Sequence, residues 1–455
     1  MHYAKRIIAV LFVAILLAGC GAGAESTATT KSGATIITFW YGLGGHNGDV
    51  VRMLINKYNQ SQKKYFVEGT FQSSYDDTLS KFNASTTGNA LPNVAQIYDI
   101  GTQRMIDTKK IVPVQDLIER DHLQANLDDL EPAIRNYYTI NGKLYSMPFN
   151  SSTAVMYYDK NAFKQAGLPT NQEVWTYDEI LNAAKKLTIK DASGKITRAG
   201  VGFYNYAWLL EEELAAHNAL DSTPNNGRTG RATKYVFNQN NIGTQWLEFQ
   251  KALIDNKTAS YFGLDSNSSD AAFASGKSAI TFESIASLRG FTLTTQQNGG
   301  KVDVGVAYLP RIAGVPQGRT IVGGASLWVT NTGTKEQQEG AWDFIKFTNR
   351  PDTQVFWSSN TGYIPVRLSA YKDPAMQATL KQYPQFQVAV DELRAASTNY
   401  YNAGSVTGTM TSARNFIQQA TDSYLNSKTS SAQAALDQAA NQANSDLEEY
   451  NSANE

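Results

Sequence analysis

The chain has 455 residues, more than one hydrophobic core usually accommodates, so we expect at least two domains. Its composition, 42% hydrophobic and 18% charged, is that of a globular protein and excludes a disordered or collagen-like chain. A formal net charge of -1 provides no field that would attract nucleic acid, so no nucleic-acid partner is expected.

The first twenty residues have the pattern of a bacterial lipoprotein signal. Two basic residues precede the apolar run 7–17, which is too short to span a bilayer as a mature helix. Small residues then precede Cys20, the only cysteine of the chain. We predict that the signal peptide 1–19 is removed and that acylated Cys20 anchors the protein to the extracytoplasmic face of the membrane. An ordinary signal peptide with a chance cysteine is the alternative, but it leaves the position of that cysteine unexplained.

Residues 20–35 are predicted to be the lipidated cysteine and a flexible tether. They are rich in Gly, Ala, Ser and Thr, a composition that forms no packed core. A fully extended chain spans at most about 3.3 Å per residue, so this tether reaches roughly 50 Å.

The body begins with alternating strand and helix patterns. Strands are predicted over 36–40, 65–71 and 94–98, and helices over 50–58 and around 79–82. This β-α-β-α-β order predicts a doubly wound, mainly parallel sheet, whose ligands lie at the carboxyl ends of the strands. Residues at or just past strand ends are therefore expected to face a cleft: Trp40, Tyr41, Tyr75 and Asp99.

A second α/β pattern starts after Pro148. Its predicted strands and helices are a strand at 154–158, helices at 161–166 and 177–187, strands at 279–282, 302–308 and 327–329, a helix through 342–347 and a helical stretch over about 407–455. The predicted fold is therefore α/β, with two lobes joined by a hinge.

Motifs of hydrolases, nucleotide-binding proteins and metal enzymes do not occur in the sequence. There are four histidines and no HExxH, Walker, GxSxG or strand-bound GxGxxG pattern. We predict a protein that is not an enzyme and that uses neither cofactor nor metal. A secreted hydrolase with a spatially assembled triad or two facing carboxylates stays open, although no residues single it out.

Short polar side chains and glycines gather at the junctions between predicted strands and helices. They are found in Asn150-Ser151-Ser152-Thr153, in Glu283-Ser284 and in Gly323-Gly324-Ala325-Ser326. Hydroxyls and open backbone N–H groups suit an oxyanion or a row of hydroxyls. Taken singly, Ser152 and Ser284 are also explained as helix or turn caps.

Two longer stretches carry a family resemblance. Asp159 to Leu168 and Phe273 to Ile280 are similar to segments of family-1 extracellular solute-binding proteins of ABC importers. Tyr145 to Thr153, Val322 to Val329 and Thr361 to Pro365 resemble the glycerol-3-phosphate-binding subfamily, and the similarity covers about 36–447. It implies two α/β lobes that close on a ligand and deliver it to permease subunits.

The resemblance also implies a set of ligand-binding residues. They are Tyr75, Asp99, Ser152, Trp208, Ser284, Gly324, Tyr363 and Arg414. In this reading Arg414 binds a phosphate, hydroxyls and the Gly324 N–H complete the oxygen shell, and Asp99 accepts from glycerol hydroxyls. Without the resemblance, Arg414 would be interpreted as a solvated helix residue.

Two departures from the subfamily pattern concern the glycerol end of this site. Asp99 is shorter than the glutamate of the subfamily. Within 203–208, Trp208 matches the second of two tryptophans, and Asn205 and Tyr206 occupy the region of the first. A missing wall would make room for a larger ligand such as a glycerophosphodiester.

The lobes are predicted to comprise 36–149 with 320–362, and 150–319 with 363–455. We expect a monomeric, lipid-anchored receptor for sn-glycerol 3-phosphate or a glycerophosphodiester. An oligosaccharide receptor of a sugar importer is the alternative within the same class, and a structural adhesin is one outside it.

Overall fold

The computed structural model describes residues 28–88, 90–314 and 320–454, so the predicted signal peptide, Cys20 and the start of the tether lie outside the described residues. The strands, in chain order, are β1 (Thr35–Tyr41), β2 (Tyr65–Phe71), β3 (Val94–Tyr98), β4 (Ile111–Val112), β5 (Thr139–Ile140), β6 (Lys143–Leu144), β7 (Met147–Ser152), β8 (Ala154–Asp159), β9 (Ile189–Lys190), β10 (Ile196–Phe203), β11 (Ser222–Thr223), β12 (Lys234–Tyr235), β13 (Ala259–Tyr261), β14 (Ser278–Ser284), β15 (Val304–Tyr308) and β16 (Gly323–Thr330).

The α-helices, in chain order, are α1 (Gly45–Ser61), α2 (Tyr75–Ala84), α3 (Thr102–Asp107), α4 (Val114–Arg120), α5 (Pro132–Tyr138), α6 (Lys160–Gln165), α7 (Tyr177–Leu187), α8 (Trp208–Ala216), α9 (Asn241–Asp255), α10 (Ser266–Ala274), α11 (Leu288–Gln297), α12 (Lys335–Thr348), α13 (Pro351–Asn360), α14 (Pro374–Gln382), α15 (Gln385–Ala395), α16 (Met410–Leu425) and α17 (Ala432–Ala453).

The first lobe is built on the sheet β2-β1-β3-β16-β4, with β7 also paired to β16. Strand β1 runs parallel to β2 and β3, whereas β16 runs antiparallel to β3, β4 and β7. Helix α1 packs beside this sheet through Val50, Val51 and Leu54, which are buried because they recur on one helical face.

The second lobe is built on the sheet β13-β10-β14-β8-β15, with β9 at its margin. Strand β10 runs parallel to β13 and β14, and β8 runs antiparallel to β14 and β15. The two-lobed α/β fold is confirmed, but the prediction of mainly parallel sheets is wrong for both lobes. The antiparallel strands β8 and β16 each enter their sheet directly from the other lobe, so no right-handed βαβ crossover sets their direction.

The chain passes between the sheets more than once. Strands β7 and β8 lie in different sheets and are separated only by Thr153, and the segment before β16 returns the chain to the first sheet. The predicted lobe boundary between 149 and 150 falls within β7. A further link follows α13, where Ile364 forms an isolated bridge with Ser151.

Helix α15 packs on β15, and the C-terminal helices α16 and α17 pack on each other and on α9. The helical stretch predicted over 407–455 is thus two helices, the second of which begins where Ser431 accepts a hydrogen bond from the Ala434 N–H at 3.1 Å.

Candidate functional site

The space between the two lobes is bounded by strand ends of both sheets. Tyr75 is the first residue of α2, whose start is capped by Ser74 through a hydrogen bond from the Asp77 N–H at 3.0 Å. Asp99 follows β3 directly, as predicted for a residue at a carboxyl strand end. Asp99 is 5% exposed, so its carboxylate depends on protein partners for its hydrogen bonds.

A pair of tyrosines connects the first lobe to the link after α13. The Tyr75 and Tyr363 hydroxyl oxygens are 3.2 Å apart, and Asn150 Nδ2 donates to the Tyr75 hydroxyl at 2.8 Å. Gln96 Nε2 in turn donates to Asn150 Oδ1 at 2.9 Å, which fixes the amide orientation. Burial raises the pKa of Tyr363 to about 12, so its hydroxyl is neutral and able both to donate and to accept.

The small residues predicted for the site meet along the edge between β7 and β16. Gly323 pairs with Ser152, and Gly324 pairs with Ser151. Gly324 has φ +106°, and a Cβ there would stand 1.9 Å from the Asn150 carbonyl oxygen, so only glycine fits. This close approach brings the backbone of Gly324 and the buried Ser152 to the first crossing between the lobes.

Ser284 ends β14 and faces the same crossing. It is opposite Ala154 in the second sheet, and the Ile285 N–H donates to the Thr153 carbonyl at 3.0 Å. Its hydroxyl oxygen accepts from the Ala286 N–H at 3.2 Å, which is the capping role considered from the sequence. The hydroxyl proton remains available to a ligand.

An aromatic surface covers the second-lobe side. The Tyr204 and Tyr206 rings are stacked with centroids 5.4 Å apart, and Tyr206 lies 5.5 Å from Trp208. Trp208 is 2% exposed and lies against Gly323, where an added Cβ would come within 2.4 Å of the indole. The ring of Tyr206, beside Trp208, supplies an aromatic surface in the region where the resemblance suggested that the first tryptophan of the subfamily is missing.

Arg414 on α16 lies between two acids from different lobes. Its Nε donates to Glu211 Oε1 at 2.6 Å, and its Nη2 donates to Glu211 Oε2 and to Asp99 Oδ2, both at 2.9 Å. The Tyr137 hydroxyl also donates to Asp99 Oδ2, at 3.3 Å. We call Asp99, Glu211 and Arg414 the buried ion triad; the side chains are 5%, 6% and 11% exposed.

The triad shifts the titration of all three members. Burial raises the pKa of Asp99 and of Glu211, although Arg414 opposes the effect for both. Burial alone would lower the pKa of Arg414, but the facing carboxylates hold it well above its ordinary value. The guanidinium is therefore charged, and its charge is already offset by protein carboxylates.

Glu211 is the residue of this site that sequence reasoning missed. It belongs to a run of three glutamates, with Glu212 and Glu213, in an otherwise apolar helix, and all three are buried. Acidic residues inside an apolar helix are rarely fully buried unless they have a partner, and that contrast is the signal that could have identified it.

A second group of polar contacts joins the lobes outside the triad. Arg231 of the second lobe donates from Nη1 and Nη2 to Asp107 Oδ1 and Oδ2 at 3.3 and 3.0 Å, and Tyr450 donates to Asp107 Oδ2 at 2.7 Å. Arg104 lies 4.8 Å from the centroid of the Tyr450 ring and donates to the Gly408 carbonyl at 2.9 Å. We call Arg104, Asp107, Arg231 and Tyr450 the interlobe clasp.

A cavity of about 430 Å³ also lies between the lobes, at one edge of the cleft. Its first-lobe wall is Gly44, His46 and Asn47, and its second-lobe wall includes Asp270 and Ala286. Asn47 Nδ2 donates to the Ala286 carbonyl at 3.3 Å across the gap. The lobes are therefore in direct contact around the predicted site, in a closed arrangement.

The described residues contain no group of three or more His, Cys, Asp or Glu side chains arranged to hold a metal ion. Within the same part of the chain, none of the helices combines the length and apolar character required to cross a bilayer.

The chain is similar to known transport receptors over most of its length. The sn-glycerol-3-phosphate-binding periplasmic protein UgpB of Yersinia pestis is 29% identical over 426 residues, which is 92% of this chain and 94% of that protein. UgpB of Salmonella typhimurium is 30% identical over the same length and the same shares of the two chains.

Solved structures show the same fold. The crystal structure of UgpB from Mycobacterium tuberculosis in complex with glycerophosphocholine has a TM-score of 0.74 at 22% identity, over 92% of this chain and all of that one. The GacH receptor of Streptomyces glaucescens, solved unliganded and with acarbose, also has a TM-score of 0.74, at 17% identity, over 91% of this chain and 98% of that one. Residues 53–388 match the family described as bacterial extracellular solute-binding protein. The chain belongs to the family of bacterial extracellular solute-binding proteins.

Proposed function

We propose that this protein is the substrate-binding lipoprotein of an ABC importer and that it captures sn-glycerol 3-phosphate or a glycerophosphodiester between its lobes. The observation that carries the proposal is the 29–30% identity, over more than nine-tenths of the chain, to relatives that bind sn-glycerol 3-phosphate. The protein would perform no covalent chemistry, and would act as a monomer that delivers its ligand to the permease subunits.

The polar inventory of the cleft supports a ligand with both hydroxyls and an oxyanion. The Arg414 side chain is 11% exposed, Ser152, Ser284 and Tyr363 carry hydroxyls, and Gly324 is partly exposed at the start of β16. The Tyr75 hydroxyl pairs with that of Tyr363. Tyr204 and Tyr206, which are partly exposed beside the buried Trp208, offer aromatic faces to the carbon atoms of a ligand. Asp99 would accept from a glycerol hydroxyl, as the resemblance implies.

Closure of the lobes around the ligand is the proposed mechanism by which the receptor captures the ligand and becomes recognisable to the permease. The lobe division at 36–149 with 320–362, and 150–319 with 363–455, would separate two bodies that move about the crossings near Thr153 and Ile364. A ligand that contacts both lobes binds the closed form better than the open form, and only such a difference shifts the population toward closure. The permease would recognise the closed form, which the acylated Cys20 would hold at the extracytoplasmic face of the cell membrane.

A second candidate function is an oligosaccharide receptor. It is favoured by the stacked pair Tyr204 and Tyr206 beside Trp208, a flat aromatic surface of the kind that packs on sugar rings. The buried ion triad adds to it, because a guanidinium offset by carboxylates can bind neutral hydroxyls as well as anions.

The deciding experiment is a thermal-shift titration of residues 21–455 with sn-glycerol 3-phosphate, glycerophosphocholine, glycerol and maltose. Ligand that binds only the native state adds RT ln(1 + [L]/Kd), about 2.7 kcal/mol at a hundredfold excess over Kd. We expect either phosphate ester to raise the melting temperature, and Arg414→Ala to abolish the effect. Stabilisation by maltose alone would establish the sugar receptor and remove Arg414 from the phosphate role.

A further inference from the structure

Arg414 reaches the cleft with most of its hydrogen-bonding capacity already used. A guanidinium has five N–H donors, and here the Nε donor and both Nη2 donors point at carboxylate oxygens of Glu211 and Asp99. Among the described residues, none accepts a hydrogen bond from Nη1. The two-nitrogen fork that grips a phosphate bidentately, through Nε with Nη2, is occupied by Glu211.

The positive charge of Arg414 is also offset by its carboxylate partners. Glu211 contacts it through both carboxylate oxygens, at 2.6 and 2.9 Å, and Asp99 contacts it through one. Arg228 donates to the Gly404 and Tyr137 carbonyls at 2.9 and 2.8 Å, and its guanidinium lies 5.3 Å from the centroid of the Tyr137 ring. A phosphate that approaches Nη1 therefore meets one guanidinium and two carboxyl groups within a few ångströms.

We propose that Glu211 is a specificity-determining residue, which makes the cleft favour phosphodiesters, with one negative charge, over the phosphomonoester, with close to two. This inference rests on the proposed function and narrows its ligand class. A monoester at neutral pH carries about −1.5 to −2 charges. The additional charge is repelled by Glu211 and Asp99 in a buried site, where screening by water is weak. The two N–H donors on Nη1 of Arg414 remain for the ligand, and they are sufficient to bind one charged oxygen of a phosphodiester.

The test compares two ligands that differ by one methyl group and one charge: sn-glycerol 3-phosphate and its methyl diester, sn-glycero-3-phosphomethanol. Isothermal titration of residues 21–455 at pH 7.5 is expected to give a diester affinity about tenfold or more above that of the monoester, as repulsion between like charges in a buried site implies. The variant Glu211→Gln keeps the side-chain length and removes the charge. In it both affinities are expected to rise, and the gain for the monoester should exceed that for the diester by on the order of tenfold, so that the diester preference is largely lost.

Glu212→Gln is the matched control, because Glu212 lies on the same helix but accepts from Thr320 and Ile321 and does not contact Arg414. It should leave the diester-to-monoester ratio as in the wild type. An unchanged ratio in Glu211→Gln, or a wild type that binds the monoester more tightly than the diester, overturns the inference while the proposed function stands. The second outcome is measured on the wild type, so it does not depend on whether a variant folds. A wild type that binds neither ester refutes the proposed function, and the inference with it.

Discussion

The interlobe clasp predicts that this receptor closes partly without ligand. Asp107 receives two N–H donors from Arg231, the Tyr450 hydroxyl and the Gln103 amide of its own helix. The Arg231 and Asp107 side chains are 31% and 13% exposed, so water screens the ion pair in part. Asp107→Asn removes the charge and turns an N–H group toward the guanidinium. Exposed ion pairs contribute about 0.2–1 kcal/mol and buried charged hydrogen bonds about 1.5–3, which places this half-buried group near 2 kcal/mol.

A loss of about 2 kcal/mol changes the ratio of closed to open forms by about 30-fold, because 1.4 kcal/mol corresponds to a factor of ten. Since apparent affinity falls with the closed fraction, Asp107→Asn is expected to raise the apparent Kd by up to about 30-fold. Small-angle scattering of the ligand-free protein should show a larger radius of gyration for the variant. The ligand-saturated proteins should scatter alike.

The control is Glu339→Gln, which breaks a similar two-pronged contact from Arg120, at the surface of a single lobe. It should leave both the scattering and the Kd unchanged. If Asp107→Asn behaves like this control, the clasp does not bias closure and the reasoning is wrong.

Burial raises the pKa of Glu212 to about 8, so the folded protein holds a proton there that the unfolded chain releases near pH 4.5. Stability should therefore fall as pH rises from about 5 to 8, by about 1.4 kcal/mol per unit for this group, and chemical denaturation of Glu212→Gln should show a shallower fall. Gly324→Ala should lower the free energy of unfolding by more than about 2 kcal/mol, because the new methyl group would meet the Asn150 carbonyl. The control Gly142→Ala, at φ +76° with open space around it, should lower it by about 1 kcal/mol. A similar loss in both variants would contradict the steric argument. Cys20→Ser should move the protein from the membrane fraction to the soluble extracytoplasmic fraction and abolish palmitate labelling, and retention of label would show that another residue is acylated.

Local patterns were sufficient to predict many of the elements. The strands at 65–71 and 94–98 and the helix at 177–187 coincide with the structure because each has a clear period and clear ends, such as the Thr176 and Glu179 capping box of the helix. Strand direction could not be read in this way. Whether β16 runs with or against β3 depends on the lobe from which the chain returns, and no local pattern encodes that path.

The predicted site residues were identified from the resemblance. Their positions in the sequence did not indicate which of them are in contact with one another. Tyr75 and Tyr363 are hydrogen-bonded although 288 positions separate them. The contact of Glu211 with Arg414 spans 203 positions, and neither residue has a local pattern that points to the other. Interactions of this kind, including the interlobe clasp, follow from tertiary packing and became visible only in the folded chain.

The position of the triad has a consequence for the timing of folding. Arg414 and Tyr450 lie in the last two helices, so the earlier part of the chain can form both sheets but lacks the residue that joins Asp99 to Glu211. A chain that folds from its N-terminus during export has two carboxylates and no counter-ion at the centre of its cleft until α16 docks. The cleft described above is therefore complete only after the C-terminal helices have packed, so we expect capture of solute to begin at that stage of folding.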